Sequence, residues 1–133
     1  GAANAGDCGA ANAGNYGAAN AGDCGAANAG YKGAANAGNY GAANAGDCGA
    51  ANAGNYGASI VRHKGSASVQ EKGVSVAFGK DAKARGGLGS VLVLTEWDDE
   101  CENVLFAKSV IVTGKTIKPD TYYKLAGNKV VKA

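Results

Sequence analysis

Histidine, proline and tryptophan occur once each, and methionine not at all. His63 alone offers no second imidazole for a zinc site and no basis for a cysteine–histidine nucleophile pair, so it reads as a corner residue. Large apolar side chains are scarce before about residue 88, and most of the apolar content of residues 1–56 is alanine. Alanine buries little area, which excludes a conventional globular core in that stretch. No apolar run is long enough for a transmembrane helix and no signal-peptide pattern is present, so no membrane association is expected. Charge of one sign is lacking too. The net charge is +2, with three Asp and one Lys in residues 1–56 and twelve Lys or Arg against eight Asp or Glu beyond. Neither part argues for nucleic acid. The chain opens without methionine on the first letter of a repeat, so a longer protein with an upstream domain is expected.

What is present is repetition. Residues 1–56 write the octad Gly-Ala-Ala-Asn-Ala-Gly-x-x seven times without a gap. Only the last two letters vary: Asp7-Cys8, Asn15-Tyr16, Asp23-Cys24, Tyr31-Lys32, Asn39-Tyr40, Asp47-Cys48 and Asn55-Tyr56. Low-complexity disorder and a silk-like stack are the competing readings. Against both, the register continues as the sequence diversifies, through octads beginning at Gly57, Gly65 and Gly73. There the middle letters become Ile60, Val61, Val69, Val74 and Val76, β-branched residues that prefer a pleated surface. Letters two to five therefore read as a short strand. Letters six to one read as a Gly-x-x-Gly corner, with glycine supplying positive φ and Asp or Asn bonding to local backbone.

Chained octads of this kind predict an all-β fold, a parallel β-solenoid over residues 1–80. Side chains alternate along a strand. Letters three and five are Ala throughout the perfect copies and letter four is Asn. Alanine packs freely, whereas a buried amide must be satisfied. Ala is therefore expected inside. Asn4, Asn12, Asn20, Asn28, Asn36, Asn44 and Asn52 would then form a surface ladder, with Tyr16, Tyr40 and Tyr56 at the corners. Buried Asn ladders are the alternative parity. Two octads per coil, 16 residues, are favoured because a four-residue turn with two glycines reverses the chain; a three-sided coil of 24 is the rival. The two differ in which cysteines stack, Cys8 on Cys24 or Cys24 on Cys48. Interchange of Cys with Tyr and Lys marks an exposed site, and unpaired surface thiols in a reducing, cytoplasmic setting are favoured over a disulfide framework.

Asp81 to Leu88 break the alternation, by a one-residue slip near Gly79 or as an exit loop, and residues 79–87 are taken as the boundary. Residues 81–133 are then exit loop and antiparallel cap. Strands are expected over 90–97 and 103–113, and a hairpin about Gly127. Leu92, Leu94, Trp97, Leu105, Phe106, Val110 and Val112 are the expected cap core. Such a cap would close an end that otherwise exposes unpaired backbone. The end at Gly1 carries no cap, so self-association through the N-terminal coil is expected.

In these octads, and in a tail running from Arg85-Gly-Gly-Leu-Gly-Ser90 to Ile117-Lys-Pro-Asp-Thr-Tyr-Tyr-Lys-Leu125, the chain resembles bacterial and phage proteins with Gly/Ala-rich octapeptide repeats. The resemblance spans the whole chain, and the tail is its more distinctive part. It implies a β-solenoid at the C-terminal region of a larger protein. It transfers no activity and no functional residue.

No cofactor motif stands out. Gly86-Gly-Leu-Gly89 lacks phosphate-loop and dinucleotide spacing. Asp98, Asp99, Glu100 and Glu102 read as a solvated turn rather than a cation site. Calcium at the repeat corners is not expected, since each octad offers one Asp at most. Lys64, Lys72, Lys80, Lys83 and Arg85 are expected to form a basic, solubilising edge. The function expected is a non-enzymatic structural module, a rigid spacer or assembly surface of a larger protein. The other class is recognition of ice or glycan by the Asn/Tyr face; thermal hysteresis or glycan binding abolished by Asn28→Lys would identify it.

Overall fold

The structure, a computed structural model, describes residues 1–133. Its elements are all strands. They run β1 (Ala2–Asn4), β2 (Ala10–Asn12), β3 (Ala18–Asn20), β4 (Ala26–Ala29) and β5 (Ala34–Asn36). Then come β6 (Ala42–Ala45), β7 (Ala50–Ala53), β8 (Ala58–Val61), β9 (Ser66–Val69) and β10 (Val74–Ala77). The last are β11 (Lys83–Arg85), β12 (Val91–Trp97), β13 (Val104–Ile111), β14 (Tyr123–Ala126) and β15 (Lys129–Lys132).

Strands β1 to β10 occupy the predicted letters of successive octads. Ala2 pairs with Ala18 and Ala10 with Ala26, all in parallel. One coil is therefore 16 residues, and the 24-residue alternative is excluded. The reason lies in the corner. Gly9 N donates to Gly6 O at 3.1 Å and Gly17 N to Gly14 O at 3.1 Å, so each corner is a tight reversal. Consecutive octads consequently fall in opposite sheets. One sheet runs β1-β3-β5-β7-β9-β11-β14-β15 and the other β13-β12-β10-β8-β6-β4-β2. Two-strand coils from β1–β2 to β11–β12 make about six turns.

Between the sheets lies a thin core. Ala19, Ala27, Ala35, Ala43 and Ala51, all at letter three, are fully buried. Letter five joins them progressively, and the side chains enlarge toward the C terminus through Val61, Val69, Leu92 and Leu94. The buried hydroxyls of Ser59 and Ser75, one coil apart, meet at 3.4 Å.

Two corner expectations are corrected. Positive φ is not carried by the repeat glycines. It falls on letter eight, at Cys8, Tyr16, Cys24, Lys32, Tyr40, Cys48, Tyr56, Lys64 and Lys72, with φ of 53 to 60°. A turn with positive φ only at its third residue has the type II pattern, where Gly or Asn is the unstrained choice. Here the glycines at letter one answer a different demand, close approach. A Cβ on Gly25 would sit 2.9 Å from Gly9 O of the coil below and 2.8 Å from Ala21 Cβ.

At residues 81–88 the structure takes the one-residue slip expected near Gly79 and corrects the exit loop assigned from residue 81. β11 pairs parallel with β9, Ala84 against Ala67, so the stretch is coil and not exit loop. The offset is 17, and β12 keeps it, Val91 against Val74. The extra residue enters at Phe78–Gly79. Lys64 N donates to Lys80 O where Cys48 N donates to His63 O one coil earlier. A Cβ on Gly79 would lie 2.6 Å from His63 Cα, so the slip needs glycine.

Closure is antiparallel. β13 pairs with β12, while β14 pairs with β11 and β15 with β14. Gly127 and Asn128 both take positive φ, the type I′ signature of a two-residue hairpin. Leu92, Leu94 and Val112 are buried, as expected of cap residues, and Tyr123, Leu125 and Ile117 join them. Leu105 and Phe106 are not; they are 52% and 43% exposed. β14 lies mainly over β12 and touches β13 less, and Leu105 is the residue left unpaired at the bulge opposite Glu96 and Trp97, so this end of β13 is exposed.

Candidate functional site

The outer faces carry the most regular side-chain geometry. Asn20 Nδ2 donates to Asn4 Oδ1, Asn36 to Asn20 and Asn52 to Asn36, at 2.9 to 3.0 Å. On the opposite sheet Asn28 donates to Asn12 and Asn44 to Asn28, both at 2.8 Å. All seven letter-four amides thus lie outside, in two ladders rather than one. Each ladder ends where the octads diversify, at Ile60 on one face and Ser68 on the other. Ladder geometry follows from identical residues stacked at the strand spacing of about 4.8 Å.

A second ladder, which sequence reasoning missed, runs up the corners. Letter-seven Oδ1 accepts the backbone N–H of letter seven in the next coil: Asn15 from Tyr31, Asp23 from Asn39, Asn39 from Asn55 and Asn55 from Glu71, at 2.9 to 3.0 Å. The signal was the recurrence of Asp or Asn at letter seven. His63 occupies the same position and does the same work. Its Nδ1 accepts from Lys80 N at 2.8 Å, across the 17-residue offset. The lone histidine is a corner residue standing in for an amide.

Letter-eight side chains form two exposed columns. One holds Cys8, Cys24, Tyr40, Tyr56 and Lys72, since each N–H donates to letter seven of the next coil. The other holds Tyr16, Lys32, Cys48 and Lys64. Tyr40 and Tyr56 stack at 5.2 Å with planes 6° apart, and Lys72 Nζ lies 5.8 Å from the Tyr56 ring. Tyr16 meets Tyr31 edge-on at 5.7 Å. All four thiols are free and exposed. Desolvation by its neighbours, then the Cys8 thiol and the carboxylates of Asp23 and Asp7, push the Cys24 thiol up.

The remaining candidates disperse. Lys64 and Lys72 lie on opposite edges, and Lys80 pairs with Asp99 at 3.5 Å. Lys83 and Arg85 sit over the Tyr122 ring at 4.5 and 4.7 Å. The expected single basic edge is therefore not formed. Asp98 closes its own turn: Oδ1 accepts from Glu102 N and Oδ2 from Asn103 Nδ2, both at 2.9 Å. Those donors, the Glu102 N–H first, hold its carboxyl below the usual carboxylate range. No group of three His, Cys, Asp or Glu residues could hold a metal ion.

Two depressions mark the surface. A cleft of about 190 Å³ lies beside Lys80, Glu96, Trp97, Asp99 and Lys124. In it Glu96 clamps the cap, accepting from Gly127 N at 2.9 Å and Asn128 N at 2.8 Å. An open groove runs between Glu71, Leu88 and Pro119. Ligand pockets are predominantly apolar with a few convergent polar groups; the cleft mixes both charges and the groove holds one apolar residue. Comparison with protein-family models, characterised proteins and solved structures finds no match.

Proposed function

We propose that this chain is a non-enzymatic structural module, a rigid repeat spacer or assembly surface within a larger protein. The observation that carries this reading is the doubling of the backbone ladders by side-chain ladders, on both faces and at the corners. A coil bonded at each of these places bends little against its neighbour. Length is then set by coil number, as in other quasi-one-dimensional repeats. The octapeptide-repeat resemblance implies a larger protein, in which the module would stand beside an upstream domain.

Insertion of one extra 16-residue coil, copied from residues 17–32, tests it. The distance between spin labels on the two ends is expected to rise by about 4.8 Å with no broadening of its distribution. An unchanged or widely spread distance would remove the spacer reading. The same module associates with itself through the N-terminal coil, whose strands β1 and β2 each leave one edge unpaired. Light scattering is expected to show concentration-dependent dimers. A strictly monomeric species at high concentration would count against that association.

A further inference from the structure

Ten corners present a side chain at the positive-φ position, and only Cys8 and Cys24 place two thiols on adjacent coils of one column. We infer that Cys8 and Cys24 form a redox-modification site, closing to an intrachain disulfide that staples the first coil to the second. This rests on the fold alone and not on the spacer reading.

Three observations converge. Cys8 and Cys24 share the same backbone conformation, φ 58° and 60°, so their Cα–Cβ bonds leave the corner in parallel. Cys8 N donates to Asp23 O at 2.8 Å, which fixes the two corners one coil apart. A coil rise of about 4.8 Å lies inside the Cα separation of about 4.4–6.8 Å that a disulfide requires, and the parallel Cβ atoms, about 4.8 Å apart, must close by a few tenths of an ångström to reach its Cβ range of about 3.5–4.5 Å.

The other two thiols have no such partner. Cys48 lies between Lys32 and Lys64 in the opposite column, and Cys101 sits in the turn between β12 and β13.

The oxidant class follows from the surroundings. Asp7 and Asp23 flank the pair and repel anions, which favours a cationic low-molecular-weight disulfide. One thiolate attacks a sulfur of RS–SR, forming the protein–S–SR bond and expelling RS⁻, which takes up a proton. The second thiolate attacks the protein sulfur of that mixed disulfide and expels the other RS⁻. Two protein thiols are oxidised and one RS–SR is reduced to two RSH.

The test uses the whole chain with cystamine and, separately, with oxidised glutathione. One equivalent of cystamine is expected to lower the thiol titre from four to two without disulfide-linked dimers on a non-reducing gel, with tryptic peptide 1–32 lighter by two hydrogens. Closure with anionic glutathione disulfide is expected to be about tenfold slower at low salt, and the gap to shrink as salt screens the carboxylates. Amides of β1 to β4 are expected to exchange about tenfold more slowly once closed. Cys24→Ser should abolish the intrachain link, whereas Cys48→Ser with Cys101→Ser should leave it intact. Four persisting thiols, a link to Cys48 or Cys101, disulfide-bonded dimers in its place, or equal rates with the two oxidants would overturn the proposal.

Discussion

Gly41→Ala is expected to lower unfolding free energy by about 3 kcal/mol, at the upper end of what overpacking produces. The new Cβ would lie 2.8 Å from Ala37 Cβ, 2.9 Å from Gly25 O and 2.9 Å from Gly38 O. Two of the three are backbone atoms and the third is a methyl fixed to backbone. No flexible side chain can swing away, so the coil spacing itself must open. The ladders on both sides of residue 41 depend on that spacing: Ala42 N donates to Gly25 O at 3.0 Å and Ala58 N to Gly41 O at 2.9 Å. In a stacked repeat the damage concentrates at one coil–coil junction, where nearest-neighbour terms supply the cohesion. Gly14→Ala is the control, because a Cβ there meets nothing within 4 Å. Urea denaturation of both variants decides the matter. A Gly41→Ala midpoint equal to that of Gly14→Ala would mean that the coils are not held this close.

Thr95→Val carries the second large effect, a loss of about 3 kcal/mol, although the two side chains have nearly the same shape. Thr95 Oγ1 accepts from Gly79 N at 3.1 Å and from Trp97 Nε1 at 2.9 Å. It also donates to Ala77 O at 2.9 Å. The residue is 6% exposed, so water cannot replace the hydroxyl freely. Valine would leave a buried N–H and a buried carbonyl without partners, each worth roughly 1–3 kcal/mol. The position matters because Gly79 is where the register slips from 16 to 17. A hydroxyl plugs the backbone groups that the slip takes out of the ladder. Ser90 serves the other edge likewise, accepting from Gly73 N and donating to Gln70 O. Thr95→Ser keeps the hydroxyl and is expected to lose less than half as much. A Val variant that loses no more than the Ser variant, measured by denaturant midpoints, would show that the hydroxyl does not hold the slip.

Much of the ladder chemistry was legible because it depends on periods. Asn at every fourth letter, set between alanines, had to lie on one side of an alternating strand, and the amide's need for partners put that side outward. The letter-seven ladder was missed because an Asp or Asn in a turn first suggests a bond to its own backbone, whereas these reach the next coil. The basic edge failed for a related reason. Lys64 and Lys72 are eight residues apart, one octad, and one octad carries a residue to the opposite edge of a two-sided coil.

The sequence by itself determined the strand-and-corner octad and set alanine and asparagine on opposite faces, since both follow from local alternation; alanine inside was the favoured parity, and the structure decided it. Tertiary structure alone decided the rest. Coil length depended on how far each corner turns, which joins residues 16 apart. Positive φ moved to letter eight because close packing between coils had already claimed the glycines at letter one. The slip at Gly79 became coil rather than exit loop because β11 found β9 in parallel, with His63 and Thr95 supplying the displaced bonds. β13 shows the limit most plainly. Val-Leu-Phe-Ala-Lys-Ser-Val-Ile is apolar on both faces, so its pattern names no core side, and only the placement of β14 mainly over β12 and the bulge at Leu105 left Leu105 and Phe106 exposed.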